Sequence, residues 1–464
     1  MNTKTRIETD SIGTIHVPAD KYWGAQTQRA LTNFKIGEQK FPPVFIKAFG
    51  IIKKAAAMSN CELGDLSKEQ CEYITQACDE IIQLQLNDHF PLVIWQTGSG
   101  TQTNMNANEV IANRAIEIAG GVPGSKKPLH PNDHVNMSQS SNDVFPSVMH
   151  IAAVLDFHEH LLPGLNELAQ AFENKSLQFN NIVKIGRTHL MDAVPLTLGQ
   201  EFSGYVAQLR FSEEQLRKCI KELSNLVIGG TAIGTGLNAT SKYTEKVIQH
   251  INTISGYEFN SAQNKFMGIA AHDAIVNASS ALRLLATANM KIANDIRLLA
   301  SGPRCGIGEL KIPANEPGSS IMPGKVNPTQ CEAMTMVCTH VLGLDVAIGI
   351  AGMNGQLELN TFKPMMIYNL LESSRLLADA MKSFSKNCIE GIEPDKEMIV
   401  KHVENSLMLV TALNKHIGYD NAAKVAKNAF DKKITLKQSA DELGFIRESD
   451  FDNYVNPESM TNIK

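Results

Sequence analysis

The sequence lacks the cysteine patterns that mark a redox centre or a metal cluster. It has eight cysteines, and no two of them form a C-x-x-C pair. The closest pairs, Cys71/Cys78 and Cys331/Cys338, are seven residues apart, which is two helical turns and not a cluster-ligand spacing. We interpret the cysteines as buried thiols of a protein in a reducing compartment, and we predict that its chemistry needs no metal.

Charge of one sign, nucleotide motifs and long apolar runs are also missing. The 43 basic and 48 acidic residues give a net charge of -5, which offers no electrostatic footprint for nucleic acid or an anionic membrane. There is no G-x-G-x-x-G or G-x-x-x-x-G-K-[ST] sequence, so nothing indicates a nucleotide site. No stretch approaches the roughly 20 apolar residues of a membrane span.

The beginning of the chain does not resemble a targeting segment. Met1 to Asp10 is polar and contains two acids, whereas a secretory signal needs an apolar core and a mitochondrial transit peptide is poor in acids. We therefore expect a cytoplasmic protein, or a mature form that has already been trimmed. Any site for an anion must be built locally.

Long segments without glycine or proline dominate the second half of the chain. They span residues 205–228, 269–301 and 365–390, and apolar residues recur in them at helical spacing. Helices of this length exceed the average and suit a bundle. Strand signals are sparse, with only a weak alternation over residues 12–17. The sequence therefore predicts a mainly α fold with a central bundle of long helices.

Two stretches that contain glycine and proline suggest boundaries between three domains. Residues 120–133 are rich in glycine, proline and lysine, and residues 391–394 follow the last long helical segment. We predict a mostly helical N-terminal domain over residues 1–139, a central helical bundle over 140–393 and a small helical C-terminal domain over 394–464.

The most informative segment is a loop over residues 316–328. Its three prolines and two glycines exclude a helix or an interior strand. Lys325 and Asn327 stand two residues apart in an extended stretch, so they point to the same side and offer a cation and an amide to one anion. A helix over residues 329–344 follows, with Glu332 in its first turn.

This loop closely resembles the signature of the fumarase/aspartase superfamily. Four more segments resemble that superfamily in the right order, so the similarity covers essentially the whole chain. The five segments are Ser99–Asn106, Ser138–Phe145, Gly186–Ala193, Gly234–Asn238 and Gly318–Pro328. The resemblance implies a three-domain fold whose central bundle assembles into the helical core of a homotetramer, with active sites shared among subunits.

Within the superfamily, three places resemble the class II fumarases more than the ammonia-lyases. His189 follows Arg-Thr, at the position where the ammonia-lyases have Gln. The signature reads Pro-Gly-Lys, in which the lysine is Lys325, and then continues Pro-Thr-Gln as in fumarases. The third place resembles the accessory dicarboxylate site of fumarases and comprises His130, Pro131, Asn132 and Asp133. His134 departs from the family's usual Asp, which puts the properties of the accessory site in question.

The resemblance implies reversible, stereospecific hydration of fumarate to (S)-malate, without a cofactor, through an aci-carboxylate. It assigns catalysis to His189, Ser319 and Glu332. The residues that it assigns to substrate binding are Ser99, Gly100, Thr101, Asn104, Ser140, Ser141, Asn142, Thr188, Ser320, Lys325, Val326 and Asn327. The residues by themselves do not decide between Ser319 and Ser320 as the base; only the resemblance selects Ser319.

Three alternatives compete with this interpretation. An aspartate ammonia-lyase, or another fumarate-releasing lyase, would keep the serine loop and Lys325 but would not need His189. A structural protein on the same fold, like the lens crystallins of the superfamily, would not need the chemical residues, all of which are intact here. A metal- or cluster-dependent hydratase is disfavoured by the cysteine spacing.

Overall fold

The computed structural model describes residues 4–461 as two compact units. The first unit comprises the residues up to Pro163, Glu214–Ala286 and Thr339–Ala378, and the second comprises Gly164–Glu213, Thr287–Cys338 and the residues from Asp379 onward. Residues 1–3 and 462–464, the outer ends of the first and third predicted domains, lie outside the described residues. The three-domain division stays a prediction.

Helices make up most of the chain, as the sequence predicted. The α-helices are α1 (Ala25–Asn33), α2 (Pro43–Glu62), α3 (Lys68–Ile82), α4 (Thr101–Ile118), α5 (Ser141–Asp156), α6 (Leu162–Gln178), α7 (Leu198–Leu223), α8 (Tyr243–Ser255), α9 (Lys265–Ala270), α10 (Asp273–Leu299), α11 (Thr329–Gly352), α12 (Lys363–Asn387), α13 (Lys396–Asn405), α14 (Asn414–Ile417), α15 (Tyr419–Lys432), α16 (Leu436–Glu442) and α17 (Phe451–Tyr454). Short 3-10 turns occur at Asn87–His89, Ile389–Gly391, Leu407–Leu413 and Glu458–Thr461, and π-helical turns occur at Pro131–Val135 and Phe157–Leu161.

The strands form small two-stranded sheets. They are β1 (Thr5–Asp10), β2 (Gly13–Pro18), β3 (Val183–Thr188), β4 (Met191–Thr197), β5 (Asn225–Leu226), β6 (Asn260–Ser261), β7 (Leu310–Lys311) and β8 (Glu393–Pro394). The pairs β1–β2, β3–β4 and β7–β8 are antiparallel, and β5–β6 is parallel. The predicted alternation near the N-terminus corresponds to β2, while the other strands had no recognised signal.

The three long helical segments are confirmed as α7, α10 and α12. The second begins at Asp273 and not at residue 269, because residues 269–270 belong to α9, and the limits of α7 differ more from the prediction. This helix begins at Leu198, seven residues before the predicted start, and runs through Gly199 and Gly204. Thr197 caps it, because its Oγ1 accepts the Gln200 N–H at 3.1 Å while Gln200 Oε1 accepts the Thr197 N–H at 2.9 Å. This reciprocal cap outweighs the modest cost of glycine in a helix.

The helix after the loop, α11, is longer and more apolar than expected. It extends to Gly352, and it is long and apolar enough to cross a membrane by length and composition alone. The expectation that no stretch comes near this composition was wrong, because glycine, threonine and histidine interrupt the apolar residues of this helix and its only charged residues are Glu332 and Asp345. One such helix is weak evidence for a membrane span, since the core helices of other proteins meet the same criterion.

Aromatic side chains fill the core of the first unit. Helix α2 packs against α3, α5 and α8. Phe45 and Phe49 of α2 meet Phe145 of α5 with ring centroids 5.3 and 6.1 Å apart in edge-to-face orientation. All three rings are fully buried, so this contact fixes the start of α5 against α2.

The second unit has two apolar clusters. Phe172 of α6 packs against Phe202 and Tyr205 of α7, with centroid separations of 5.7 and 5.6 Å. Another cluster lies among α15, α16 and the neighbouring turns, and it includes Leu413 and Val425. The first cluster supports α7 directly after the β3–β4 hairpin.

Candidate active site

The first predicted binding segment lies at the N-terminus of α4. Gly100 has φ +75°, and a Cβ there would lie 2.2 Å from Phe145 Cδ2, so only glycine fits this position. The turn brings the Ser99 and Thr101 hydroxyl oxygens to 2.7 Å from each other, beside the N–H groups of the first helical turn, which have no partner within the helix. Such a helix end attracts a carboxylate.

The second segment caps α5 and contacts the first. Ser140 is the N-cap, and its Oγ accepts the Asn142 N–H at 3.2 Å. Asn104 of α4 is fully buried, and its Nδ2 donates to Ser141 Oγ at 3.0 Å. Because this bond occupies a lone pair of the Ser141 oxygen, the hydroxyl hydrogen stays available to donate to a ligand.

Asp143 organises the second segment, although it is not among the predicted site residues. One carboxylate oxygen accepts the Ser140 N–H at 2.8 Å, and the other accepts the N–H groups of Gly229 and Thr231, both at 2.9 Å. Burial raises the pKa of Asp143 to about 6 despite these donors. The signal that could have identified it is the Ser-x-x-Asp capping pattern.

His189 stands at the tip of the β3–β4 hairpin. His189 and Leu190 form its two-residue turn with φ of 56° and 62°, and both are exposed. Tight hairpin turns with two left-handed residues normally use Asn-Gly, so this sequence gave no hairpin signal. A left-handed histidine is strained, and strain of this kind concentrates at functional sites.

Buried charges fix the base of this hairpin. Lys184 and Arg187 of β3 hold the fully buried Glu309 carboxylate, with Nζ–Oε2 and Nη1–Oε1 distances of 3.0 and 2.9 Å. Lys184 also lies 3.0 Å from Glu201 Oε2. Arg187 immediately precedes Thr188 and His189, so the ion pairs fix the strand that carries them. No motif marked Lys184 or Glu309 in advance.

Replacing Glu309 by glutamine should destabilise the protein by about 3–5 kcal/mol, because it leaves Arg187 without its buried anion and leaves Lys184 paired with Glu201 alone. Urea unfolding followed by circular dichroism measures the loss. Glu390→Gln, at an exposed acid of the same unit, is the matched control and should change stability little. Equal stability of the two variants would show that the buried ion pairs do not hold the hairpin in place.

The loop over residues 316–328 holds Ser319 in a cradle of backbone donors. Ser319 Oγ accepts the N–H groups of Met322 and Ile321 at 3.1 and 3.3 Å. Ser319 is half-buried, whereas Ser320 is exposed and its side chain makes no hydrogen bond within residues 4–461. The two serines that the sequence left equivalent therefore differ in their surroundings.

Lys325 and Asn327 close the loop and lie together, as their spacing indicated. Lys325 Nζ donates to Asn327 Oδ1 at 2.7 Å, and Asn327 Nδ2 donates to the Gly318 carbonyl. A Cβ on Gly318 would lie 1.9 Å from the Lys325 carbonyl oxygen, so the close approach requires glycine. Val326, between the two polar residues, is exposed.

Glu332 lies in the first turn of α11 and is exposed. In the part of the chain that the structure describes, no hydrogen bond or ion pair joins Glu332, His189 and Ser319 to one another. The second unit therefore presents its three predicted catalytic side chains on separate segments. The contact between Asn104 and Ser141 links the first two binding segments, and both belong to the first unit.

Three residues of the predicted accessory site, His130, Pro131 and Asn132, line a cavity of about 180 Å³ in the first unit, whereas Asp133 is not part of its lining. His130 Nδ1 accepts the N–H groups of Asn132 and Asp133, both at 3.2 Å, and burial lowers the pKa of His130. Because Nδ1 accepts both bonds, the ring is neutral with its proton on Nε2, and the Nε2–H is its only hydrogen-bond donor. Pro131 begins the π-helical turn, and the departing residue His134 accepts the His130 N–H at 2.8 Å.

His130 and His134 stand four residues apart, a spacing that can serve two metal ligands on a helix. Here His134 Nδ1 is taken up by the His130 backbone. Among the described residues, no group of three or more His, Cys, Asp or Glu side chains could hold a metal ion. Metal independence stays a prediction.

Comparison with known proteins identifies the family. A family model described as lyase matches residues 13–343, and a model described as fumarase C C-terminus matches residues 409–462. The class II fumarate hydratase of Thermosynechococcus vestitus is 58% identical over 460 residues, which cover 99% of this chain and 98% of that protein. That of Helicobacter pylori is 59% identical over 455 residues, covering 98% of each.

A solved structure agrees with these relatives. The crystal structure of a recombinant class II fumarase from Schistosoma mansoni matches with a TM-score of 0.97 and 43% sequence identity, covering 99% of each chain. The mainly α fold of the superfamily is thereby confirmed. With its segments in order and its length matched almost completely, the chain belongs to the class II fumarate hydratases, a family of lyases.

Proposed function

We propose that this chain catalyses the reversible, stereospecific hydration of fumarate to (S)-malate, a reaction of the tricarboxylic acid cycle. Read in reverse, a base removes a C3 proton from malate, and hydroxide then leaves C2. The C3 proton is weakly acidic, because its removal places a second negative charge on the neighbouring carboxylate. Preorganised donors must stabilise this aci-carboxylate.

The observation that carries the proposal is the cradle around Ser319. An unperturbed serine hydroxyl is far too weakly acidic to act as a base near neutral pH. Two backbone N–H groups point at Ser319 Oγ at 3.1 and 3.3 Å, and hydrogen bonds to an ionised oxygen favour its formation. Lys325, held beside Asn327 at the other end of the loop, supplies the fixed cation for the substrate carboxylate.

His189 and Glu332 serve the C2 oxygen. An imidazole can deliver a proton to the leaving hydroxyl, directly or through a water, and a carboxylate that pairs with it keeps it correctly oriented. Ser99, Thr101, Ser140, Ser141 and Asn142 bind the carboxylates with hydroxyl, amide and helix N-terminal donors. No cofactor takes part.

We further propose a homotetramer in which different copies contribute to each site. The exposed apolar side chains of α11 support this, since Met336, Val346 and Ile350 are 67%, 61% and 52% exposed. A helix with so apolar an exposed face needs a partner, and the polar residues of long helices suit a bundle of several chains. The eight free cysteines support a reducing compartment, for which we propose the cytoplasm.

Ultraviolet absorbance of fumarate tests the activity. The purified protein should generate absorbance from malate and none from aspartate, and exhaustive chelation should leave the rate unchanged. Absorbance from aspartate alone would instead identify an ammonia-lyase. Complete loss of activity after chelation, restored by iron, would overturn the metal-free mechanism.

A further inference from the structure

Lys53 of α2 is a fully buried lysine that belongs to none of the recognised motifs. Its Nζ donates to Asn136 Oδ1 and to Gln139 Oε1, each at 3.0 Å. Both acceptors lie just before Ser140, where the second binding segment begins. The lysine thus binds the turn that leads into the segment.

A short chain of hydrogen bonds continues from Lys53 to the binding segment. Asn136 Oδ1 also accepts from Asn104 Nδ2 at 3.2 Å, and Asn104 donates in turn to Ser141 Oγ at 3.0 Å. Two hydrogen bonds therefore join the Lys53 ammonium to the turn. Asn136 Oδ1, which accepts from both Lys53 and Asn104, connects the lysine to the Asn104 amide that orients the Ser141 hydroxyl. Networks of this kind hold their members in one arrangement.

Of the two acceptors in the turn, Gln139 Oε1 is the one that relies on Lys53, because Asn136 Oδ1 also accepts from Asn104 and from Asn108 Nδ2, the latter at 3.1 Å. Gln139 Nε2 donates to the carbonyls of Val135 and Met137 at 3.1 and 2.9 Å, and Ser138 adopts φ +63°. With its amide nitrogen committed, Gln139 has its Oε1 free for a buried donor, and Lys53 supplies it. A left-handed serine persists only where its surroundings fix the chain.

Lys53 forms no ion pair within residues 4–461. The charged or titratable groups that act on it are Asp143 of α5, which raises its pKa, and Cys78 of α3, which does the same. Burial outweighs both and lowers the pKa of Lys53 to about 7. A buried lysine with amide acceptors contributes poorly to stability, and an apolar side chain of similar length would avoid its desolvation.

We propose that Lys53 is a positioning residue that holds the Ser140–Asn142 segment in its dicarboxylate-binding arrangement. The inference rests on the proposed function, because it takes this segment to bind the substrate carboxylate. Lys53 does so without contacting the segment itself, by donating to Asn136 and Gln139 in the turn that precedes it. Removing it should therefore weaken substrate binding more than it slows the chemical step, which belongs to Ser319 and His189.

The test is Lys53→Met, which keeps the length of the side chain and removes its donors. Lys54→Met is the matched control, because Lys54 is the next residue on α2 but pairs with Asp79 at 2.6 Å. We expect the KM for malate to rise about tenfold in Lys53→Met, with kcat within about threefold of wild type, and neither to change in Lys54→Met. Calorimetry with succinate, an unreactive dicarboxylate, should show the same loss in affinity.

Gln139→Met keeps the inference testable if Lys53→Met does not fold. It removes one acceptor of Lys53, together with the Gln139 Nε2 bonds to the Val135 and Met137 carbonyls, while Lys53 still donates to Asn136. The KM should again rise with little change in kcat. An unchanged KM and succinate Kd in the folded variants, or the same change in Lys54→Met, would overturn the inference. A wild-type protein that dehydrates no malate would instead overturn the proposed function, and this inference with it.

Discussion

Ser319→Ala and His189→Asn should each lower kcat for malate dehydration by about 10²–10⁴-fold, the usual contribution of a general acid or base. In the proposed mechanism Ser319 handles the C3 proton and His189 the C2 oxygen, so each variant would lose one of the two proton transfers. The KM should change less, because Lys325, Asn327 and the Ser140–Asn142 segment still bind the carboxylates. Initial rates over a range of malate concentrations give both constants.

Two further variants sharpen this test. The double variant should lose less than the product of the single losses, because the two groups serve one coordinated elimination. Lys325→Met should instead raise KM and lower kcat together, since its charge acts on the bound dianion and on the aci-carboxylate. Near-normal turnover in Ser319→Ala would assign the base to His189 or Ser320, and near-normal turnover in His189→Asn would remove the imidazole from the mechanism.

Mixing two inactive variants should restore activity. If Ser319 and His189 of one site come from different copies, then Ser319→Ala and His189→Asn chains form hybrid tetramers in which some sites contain both native residues. Random assembly of equal amounts makes about one quarter of the sites intact, so activity should reach about a quarter of wild type. The measurement is malate dehydration after the mixture is denatured and refolded together.

A second mixture serves as the control. Ser319 and Lys325 lie on one loop of one chain, so Ser319→Ala mixed with Lys325→Met can never produce an intact loop and should not recover activity. Recovery in neither mixture, with hybrids demonstrated by native mass spectrometry, would contradict the sharing of sites between copies. An active monomer in light scattering would contradict it as well.

Sequence patterns predicted the parts of the fold that depend on local signals. The long helices α10 and α12 follow from apolar residues at helical spacing, and the loop over residues 316–328 follows from its prolines and glycines. Lys325 and Asn327 lie together because an extended backbone places alternate residues on one side. These features need no information about distant residues.

The remaining features depend on contacts between distant segments. The β3–β4 hairpin has His-Leu where a turn signal would be Asn-Gly, so its geometry rests on the buried ion pairs of Glu309 with Lys184 and Arg187. Lys53 looks like any lysine of an amphipathic helix, and only the fold brings it to Asn136 and Gln139. Long-range partners of this kind leave no periodic trace in the sequence.

Proton NMR of fumarate incubated with the protein in D₂O tests the central claim most directly. Hydration by one base at C3 predicts a single malate diastereomer with one deuterium at C3, so that the C2 proton couples to one neighbouring proton only. Fumarate that stays unchanged, or malate with deuterium distributed over both C3 positions, would contradict stereospecific hydration by this site.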